Sequence, residues 1–270
     1  MLDQIDDFSV LTRKISAERG FGCASYKEKC LRRRIAVRMR ARGVHSYTDY
    51  ARILDSDVGE YDRLLDALTI NVTKLFRNWE AYASLSATVV PELWQRNASA
   101  IRVWSAGCSS GEEPYSLAVL LHRYAAANGL LGHIGRVEVL GTDIDRQCLL
   151  AAERGHFAEG DFSDTPDALR TQYFHEQAPF TVSASVRRMV RFERRDMLSD
   201  GAPPGKFDLI TCRNVLIYFD RETQERLFTA FHAALTPGGF LMLGKVETLL
   251  GQARTQFTPV DARERIFRRI

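Results

Sequence analysis

What the chain lacks narrows it first. None of its apolar runs approaches the ~20 residues that a membrane-spanning helix requires. The opening MLDQIDDFSV has no basic flank ahead of an apolar stretch, so no secretory leader is expected. The five cysteines, Cys23, Cys30, Cys108, Cys148 and Cys212, are odd in number and contain no C-x-x-C pair. That usage points to reduced thiols in a cytoplasmic protein, not to disulfides or a zinc site. The six histidines include no H-E-x-x-H, so no metal is expected. No proline occurs before Pro91, and there is no internal repeat or low-complexity segment. The charge balance, 37 basic against 34 acidic residues, is too even to define a partner by itself.

What is present falls into two regions. Residues 1–80 read as a small helical domain: Gly20 and Gly22 interrupt the first segment, Gly43 ends the second, and no strand-like alternation persists. Residues 81–100 read as a connector. From 101 to 270, short apolar runs (IRVWSA, VEVLGTD, FDLITC, GGFLMLG) alternate with helical patterns. That alternation predicts a largely parallel sheet covered by helices.

The most charged stretch is KEKCLRRRIAVRMRARG, residues 27–43. Leu31, Ile35 and Met39 share one helical face, and Arg34, Arg38 and Arg42 form a parallel stripe. No acid dilutes the cluster between 29 and 48. A solvated face is one reading. A surface for an acidic partner, nucleic acid or protein, is the other, and charge alone does not separate those two.

VWSAGCSSGEEPYSLAVLL, residues 103–121, reads as strand, glycine turn and helix. Gly107 and Gly111 are spaced G-x-x-x-G, so the G-x-G-x-x-G dinucleotide fingerprint is absent. Ser110 and Glu113 spell a capping box. Pro114 at the first helical position is the favoured alternative, which puts Glu113 at the N-cap with its carboxylate facing a ligand. Glu112 and Glu113 could merely complement the helix dipole, worth ~0.3–1 kcal/mol. A phosphate would be repelled there; a cation would not.

Asp143 closes the next strand. It could cap the helix that follows or accept hydrogen bonds from ribose hydroxyls, and the glycine turn one strand earlier favours ribose. A phosphate-free nucleoside bearing positive charge is S-adenosylmethionine. LTPGGFLMLG (235–244) is similar to the helix-turn-strand late in methyltransferase sheets, and FTPV…RERIFRRI to the antiparallel hairpin that ends them.

VWSAGCSSGEEPYSLA, LGTDIDRQCLLAAERG, FDLITCRNVLIYFD and NVTKLFRN (71–78), in this chain, together resemble the bacterial chemoreceptor glutamate O-methyltransferases, the CheR family. The resemblance covers nearly the whole chain. It implies an α/β, Rossmann-like S-adenosylmethionine-dependent methyltransferase sheet, a small all-helical N-terminal domain, and a short antiparallel β subdomain inserted at about 156–195. The implied activity is methyl transfer from S-adenosylmethionine to glutamate side chains on receptor methylation helices, with S-adenosylhomocysteine as product. Membrane contact would come only through the receptor. Nothing in the residues sets an oligomeric state; a monomer is favoured.

By the same resemblance, Asn71, Thr73 and Arg77 lie at the cofactor, Glu113 contacts the methionine ammonium and Asp143 the ribose. Asp196 and Met197 match a strand-end pair near the adenine, where the family more often has Asn-Leu. Gly107, Cys212, Arg213 and Asn214 line the pocket. Tyr218 falls at the family's active-site tyrosine position, or is a core aromatic beside Phe219. Arg77 and Tyr218 are the residues expected to position the reacting groups. The arginine stripe Arg34, Arg38 and Arg42 would face the acidic receptor helices.

Family members that dock on a receptor's C-terminal pentapeptide carry an added glycine-bearing loop in the inserted subdomain. YFHEQAPFTVSASVRRMVRF is short and has no glycine, so no pentapeptide tether is expected. Two rivals remain: a nucleic-acid methyltransferase, which would usually carry [DN]-P-P-[FY] where this chain has CRNVLIY, and a non-catalytic sensor of the cofactor. Neither lost motif nor stacking platform favours them, and no nucleic-acid partner is expected.

Overall fold

The computed structural model describes residues 6–69, 71–96 and 100–270; part of the expected connector, residues 97–99, lies outside them. The chain divides into two compact units, Met1–Ile70 with Tyr218–Thr223, and Asn71–Ile217 with Gln224–Ile270.

The first unit contains α1 (Asp7–Arg19), α2 (Glu28–Ala41), α3 (Tyr47–Ser56) and α4 (Val58–Leu68). Short polar caps start these helices: Asp6 accepts from Phe8 N, Ser46 from Asp49 N and Asp57 from Glu60 N. Gly20 ends α1 at φ 67°, a left-handed value that glycine adopts without steric penalty. The i, i+4, i+8 face of α2, Leu31, Ile35 and Met39, is buried, and Leu11, Ile15, Tyr50 and Leu64 are buried in the same unit.

The second unit holds α5 (Trp79–Thr88) and α6 (Val90–Arg96), then β1 (Ile101–Ala106), α7 (Glu112–Ala127), β2 (Val137–Asp143) and α8 (Arg146–Arg154). There follow β3 (His156–Phe157), α9 (Asp167–Tyr173), β4 (Phe180–Thr181), α10 (Ala184–Arg187), β5 (Val190–Arg194) and β6 (Phe207–Cys212). Then come α11 (Arg221–Ala234), β7 (Leu235–Leu243), α12 (Ala253–Gln256), β8 (Phe257–Asp261) and β9 (Ile266–Arg269). The main sheet runs β5-β2-β1-β6-β7-β9-β8. Its first five members are parallel and the last two antiparallel. β1 and β6 are buried almost throughout, as strands covered on both faces must be.

Three boundaries differ from the sequence expectation. The division between the units falls at residue 70, not 80, because the 71–78 segment bonds to the second unit: Leu75 N donates to Asp161 O at 3.0 Å and Phe76 N to Ser116 Oγ at 2.8 Å. The expected connector is largely folded, since α5 and α6 bury Tyr82, Leu85, Val89, Val90 and Leu93 in the core of this unit. The insertion has little β structure. β3 and β4 pair over two residues each, and its interior is aromatic, with Phe162 stacked edge-on to Phe174 and Phe180. Val190–Arg194, expected inside it, is instead the edge strand of the main sheet, paired with β2.

Candidate active site

Strand order reverses between β1 and β6: β1 leads to β2 on one side, and β6 lies on the other. Open α/β sheets bind ligands at the carboxyl ends of strands at such a point. The chain leaves β1 through a tight turn. Gly107 N and Cys108 N both donate to Thr142 O, at 2.8 and 3.0 Å. Gly107 sits at φ 77°, and a Cβ there would lie 2.8 Å from Val215 Cγ2 and 3.5 Å from Met197 Cε. Ser109, at φ 50°, donates its amide to Asp143 Oδ2 at 2.8 Å, while its buried hydroxyl has no partner.

α7 begins at Glu112, with Gly111 as N-cap at φ 96°. The expected start at Pro114 is therefore corrected: Pro114 is the third helical residue, where an amide has no intrahelical acceptor to lose. Glu113 is the second helical residue and not the cap. The Ser110–Glu113 capping box does not form; Ser110 Oγ donates to the Glu112 carboxylate at 2.9 Å.

Glu113 is held by three side chains. Ser105 Oγ of β1 and Thr211 Oγ1 of β6 donate to its Oε1 at 2.8 and 2.5 Å. Its Oε2 lies 3.6 Å from Arg213 Nη1. Arg213, expected to line the pocket, is a buried tie: it donates to Tyr82 Oη at 3.2 Å and Arg77 O at 2.8 Å. Burial opposes its charge, but Tyr82 and Glu113 outweigh that and raise its pKa. Glu112 is buried beside it, and burial pushes its carboxyl up to about 7.

Asp143 Oδ1 accepts from Asp145 N at 2.9 Å, so each carboxylate oxygen carries one backbone amide. A carboxylate offers about four acceptor positions, which leaves two for a ligand. Burial raises its pKa. Asn71, expected at the cofactor, donates its Nδ2 to Asp145 Oδ2 at 2.7 Å, and Asp145 caps α8. Arg77 folds back over its own segment, donating Nη1 to Val72 O at 2.8 Å. Thr73 is half-buried in this segment. Phe76 and Asn78 take φ 52° and 61°, and such left-handed non-glycine residues concentrate at functional sites.

Asp196 Oδ1 accepts from Leu198 N at 2.8 Å and so shapes its own turn, while Met197 approaches Gly107. Cys212 is fully buried, and burial lifts its thiol well above the usual range, which suits a pocket wall and not a nucleophile. Asn214, at φ 61°, has a buried Oδ1 without a partner.

Sequence reasoning missed Ser105, Thr211 and Glu247. The first two were readable in principle, being hydroxyls inside the apolar runs VWSA and LITC, where a buried polar group needs a partner. Glu247 follows β7 and accepts four backbone amides.

In the first unit, Tyr218 O accepts from Lys27 N at 2.9 Å, and the Arg34 guanidinium lies 5.0 Å from the Tyr218 ring centroid. Arg34 also donates to Ala67 O and Leu68 O, at 3.1 and 2.7 Å. Arg38 forms a two-pronged pair with the buried Glu60, at 3.0 and 2.8 Å, and Arg42 lies 3.2 Å from Asp57. Arg38 and Arg42 are thus paired with acids of α4 and its cap, Glu60 and Asp57, while Arg34 is tied to backbone carbonyls. The exposed cations of α2 are Lys29, Arg33 and Arg40.

The second unit's residues fit S-adenosylmethionine. Glu112, Glu113 and Asp143 surround the turn with carboxyl groups, which disfavours a phosphate. Ser109 Oγ and Asn214 Oδ1 are buried and unpartnered, and Gly107 lets Val215 and Met197 close on the turn. Among the described residues no cluster of His, Cys, Asp and Glu is placed to hold a metal ion, and no helix is long and apolar enough to cross a membrane.

Comparison with known proteins agrees with this geometry. The family model "CheR methyltransferase, SAM binding domain" matches residues 71–266, and "CheR methyltransferase, all-alpha domain" matches 6–69. A "Chemotaxis protein methyltransferase" of Listeria monocytogenes is 33% identical over 92% of this chain and 92% of its own. An "Uncharacterized 104.1 kDa protein" of Rhodobacter capsulatus is 36% identical over 90% of this chain, which spans only 25% of that protein. An S-adenosylmethionine-dependent methyltransferase structure from Mesorhizobium loti overlaps 57% of this chain and 51% of its own, at 22% identity and TM-score 0.30, and adds nothing to the assignment. With both of its regions matched in order, the chain belongs to the CheR methyltransferase family.

Proposed function

We propose that this chain transfers a methyl group from S-adenosylmethionine to the side-chain carboxylates of specific glutamates on chemoreceptors, forming methyl esters in the cytoplasm. One observation carries the reading: a buried glutamate, Glu113, stands at the strand-order reversal, fixed by two hydroxyls and an arginine. When bound, the cofactor supplies an electrophilic methyl group. Glu113 holds the ammonium, Asp143 the ribose hydroxyls, and Met197 and Asp196 border the base. Asn71 acts through Asp145, and Thr73 and Arg77 belong to the segment that borders the cofactor.

A substrate glutamate is ionised at neutral pH, with an ordinary pKa near ~4.3. It needs no general base, which accounts for a site without a catalytic His or Cys. What remains is alignment and exclusion of water. Arg77 and Tyr218 position the reacting groups, and the cations of α2 and its cap, the stripe Arg34, Arg38 and Arg42 together with the exposed Lys29, Arg33 and Arg40, meet the acidic receptor helices. Docking does not use the pentapeptide; micromolar binding of that peptide in a titration would refute this.

The test is radiolabelled S-adenosylmethionine with receptor-containing membranes. Alkali-labile label on the receptor is the expected result. Label on DNA or RNA, or none anywhere, overturns the reading.

A further inference from the structure

Glu247 lies just beyond β7 and is buried, yet nothing in the methyl-transfer reading uses it. Its Oε1 accepts from Val215 N at 2.9 Å and Ile217 N at 3.4 Å. Its Oε2 accepts from Asn214 N at 3.0 Å and Gly244 N at 2.6 Å. Four amides on one carboxylate make a charge-assisted clamp, stronger per bond than neutral pairs. Gly244 permits it: a Cβ there would lie 2.7 Å from Glu247 Oε2 and 2.8 Å from Asn214 N.

The clamped loop carries Val215, which faces the Gly107 turn, and Asn214 beside it. Val215 Cγ2 is the atom that a Cβ on Gly107 would strike, so this side chain forms a wall against the glycine turn. Asn214 is held at φ 61° with a buried, unpartnered Oδ1. A buried acceptor left open in a strained residue is a group kept for a ligand. Without the carboxylate, the part-buried amides of Asn214 and Val215 would lose the acceptor that holds them, and the loop would move to find others.

We propose that Glu247 is a positioning residue of the methyl-transfer site, which fixes the 214–217 loop so that Asn214 and Val215 border the cofactor. The inference rests on the proposed function, because it names which bound molecule the loop serves. Glu247→Gln keeps the shape but presents an N–H where Oε2 or Oε1 accepted two amides.

The test measures S-adenosylhomocysteine affinity by calorimetry, methyl-transfer kcat and KM, and amide hydrogen exchange, in wild type, E247Q and G244A. Both variants should bind S-adenosylhomocysteine at least tenfold more weakly. They should exchange the amides of 214, 215 and 217 at least tenfold faster while protection of β1 is unchanged. The shorter E247D should recover part of the affinity. A variant with wild-type affinity and kcat overturns the inference, and so does protection lost equally across β1, which would mark Glu247 as a general stability residue. Failure of the wild type to bind S-adenosylhomocysteine would instead overturn the function reading.

Discussion

Arg213 Nη1 lies 3.6 Å from Glu113 Oε2, and both side chains are buried at the carboxyl ends of the central strands. The arginine also holds Arg77 O, so it links Glu113 to the 71–78 segment. Removing one partner of a buried ion pair strands the other, at a cost of ~3–5 kcal/mol. Arg213→Met should therefore lower stability by that order in urea unfolding. Glu113→Gln keeps an acceptor for Ser105 and Thr211 but loses the charge. A charge-assisted bond is worth ~1.5–3 kcal/mol, so S-adenosylhomocysteine binding should weaken ~10–100-fold by calorimetry. Unchanged affinity in Glu113→Gln would remove the ammonium contact.

Gly107 should tolerate no substitution. Its φ of 77° strains any side chain, and a Cβ would press on Val215 Cγ2 at 2.8 Å. Gly107→Ala should cost ~1–3 kcal/mol in thermal or urea unfolding. It should also displace Val215 from the turn, so cofactor affinity should drop along with stability. A variant as stable and as tight as wild type would show that the turn has slack.

The parallel strands, the glycine turn and the apolar face of α2 were readable because each depends on local pattern. Periodicity in Leu31, Ile35 and Met39 maps directly onto burial. The helix start at Glu112 was not readable, because Pro114 and Ser110 both offer plausible caps and the decision falls to Gly111, whose left-handed φ appears only in three dimensions. The roles of Arg38 and Arg213 were hidden for a different reason. Their partners, Glu60 and Glu113, lie 22 and about a hundred residues away in sequence, so a charge count over a local window cannot see the pairing. Glu247 was hidden likewise, since its acceptor role is toward backbone amides, which leave no mark on side-chain composition.

Glu112 gives stability a pH dependence of defined sign. Burial raises its carboxyl from 4.5 to about 7. A carboxyl with a raised folded-state pKa stabilises fully below the unfolded value, and that contribution is lost as pH rises from 4.5 through 7. At ~1.4 kcal/mol per pKa unit, the loss is at most ~3.5 kcal/mol. Glu112→Gln should flatten the stability profile across this window in urea unfolding at stepped pH. An equal slope in wild type and variant would assign it to other groups.

The arginines of α2 should separate into two classes. Glu60 is buried, accepts from Arg38 and Tyr50, and has its pKa lowered because these partners overcome the burial that would raise it. Its stabilising share is present above the unfolded pKa and is lost as pH falls through the lowered one. Arg38→Ala would remove the nearest cation from this carboxylate, leaving Tyr50 and the more distant Arg63 and Arg42, at 3.7 and 3.9 Å, and should cost ~1.5–3 kcal/mol. Lost methylation in that variant would therefore report unfolding as much as recognition. Arg33 and Arg40 are exposed, and their replacement should change stability by less than ~0.5 kcal/mol. If they steer an acidic receptor surface, Arg33→Ala/Arg40→Ala should slow receptor methylation several-fold at low ionic strength. The difference from wild type should shrink as salt approaches ~0.15 M, where exposed charges are screened beyond ~8 Å. The check is initial rate against salt, with urea midpoints measured in parallel. A double variant with wild-type rates at low salt would exclude this face from receptor recognition.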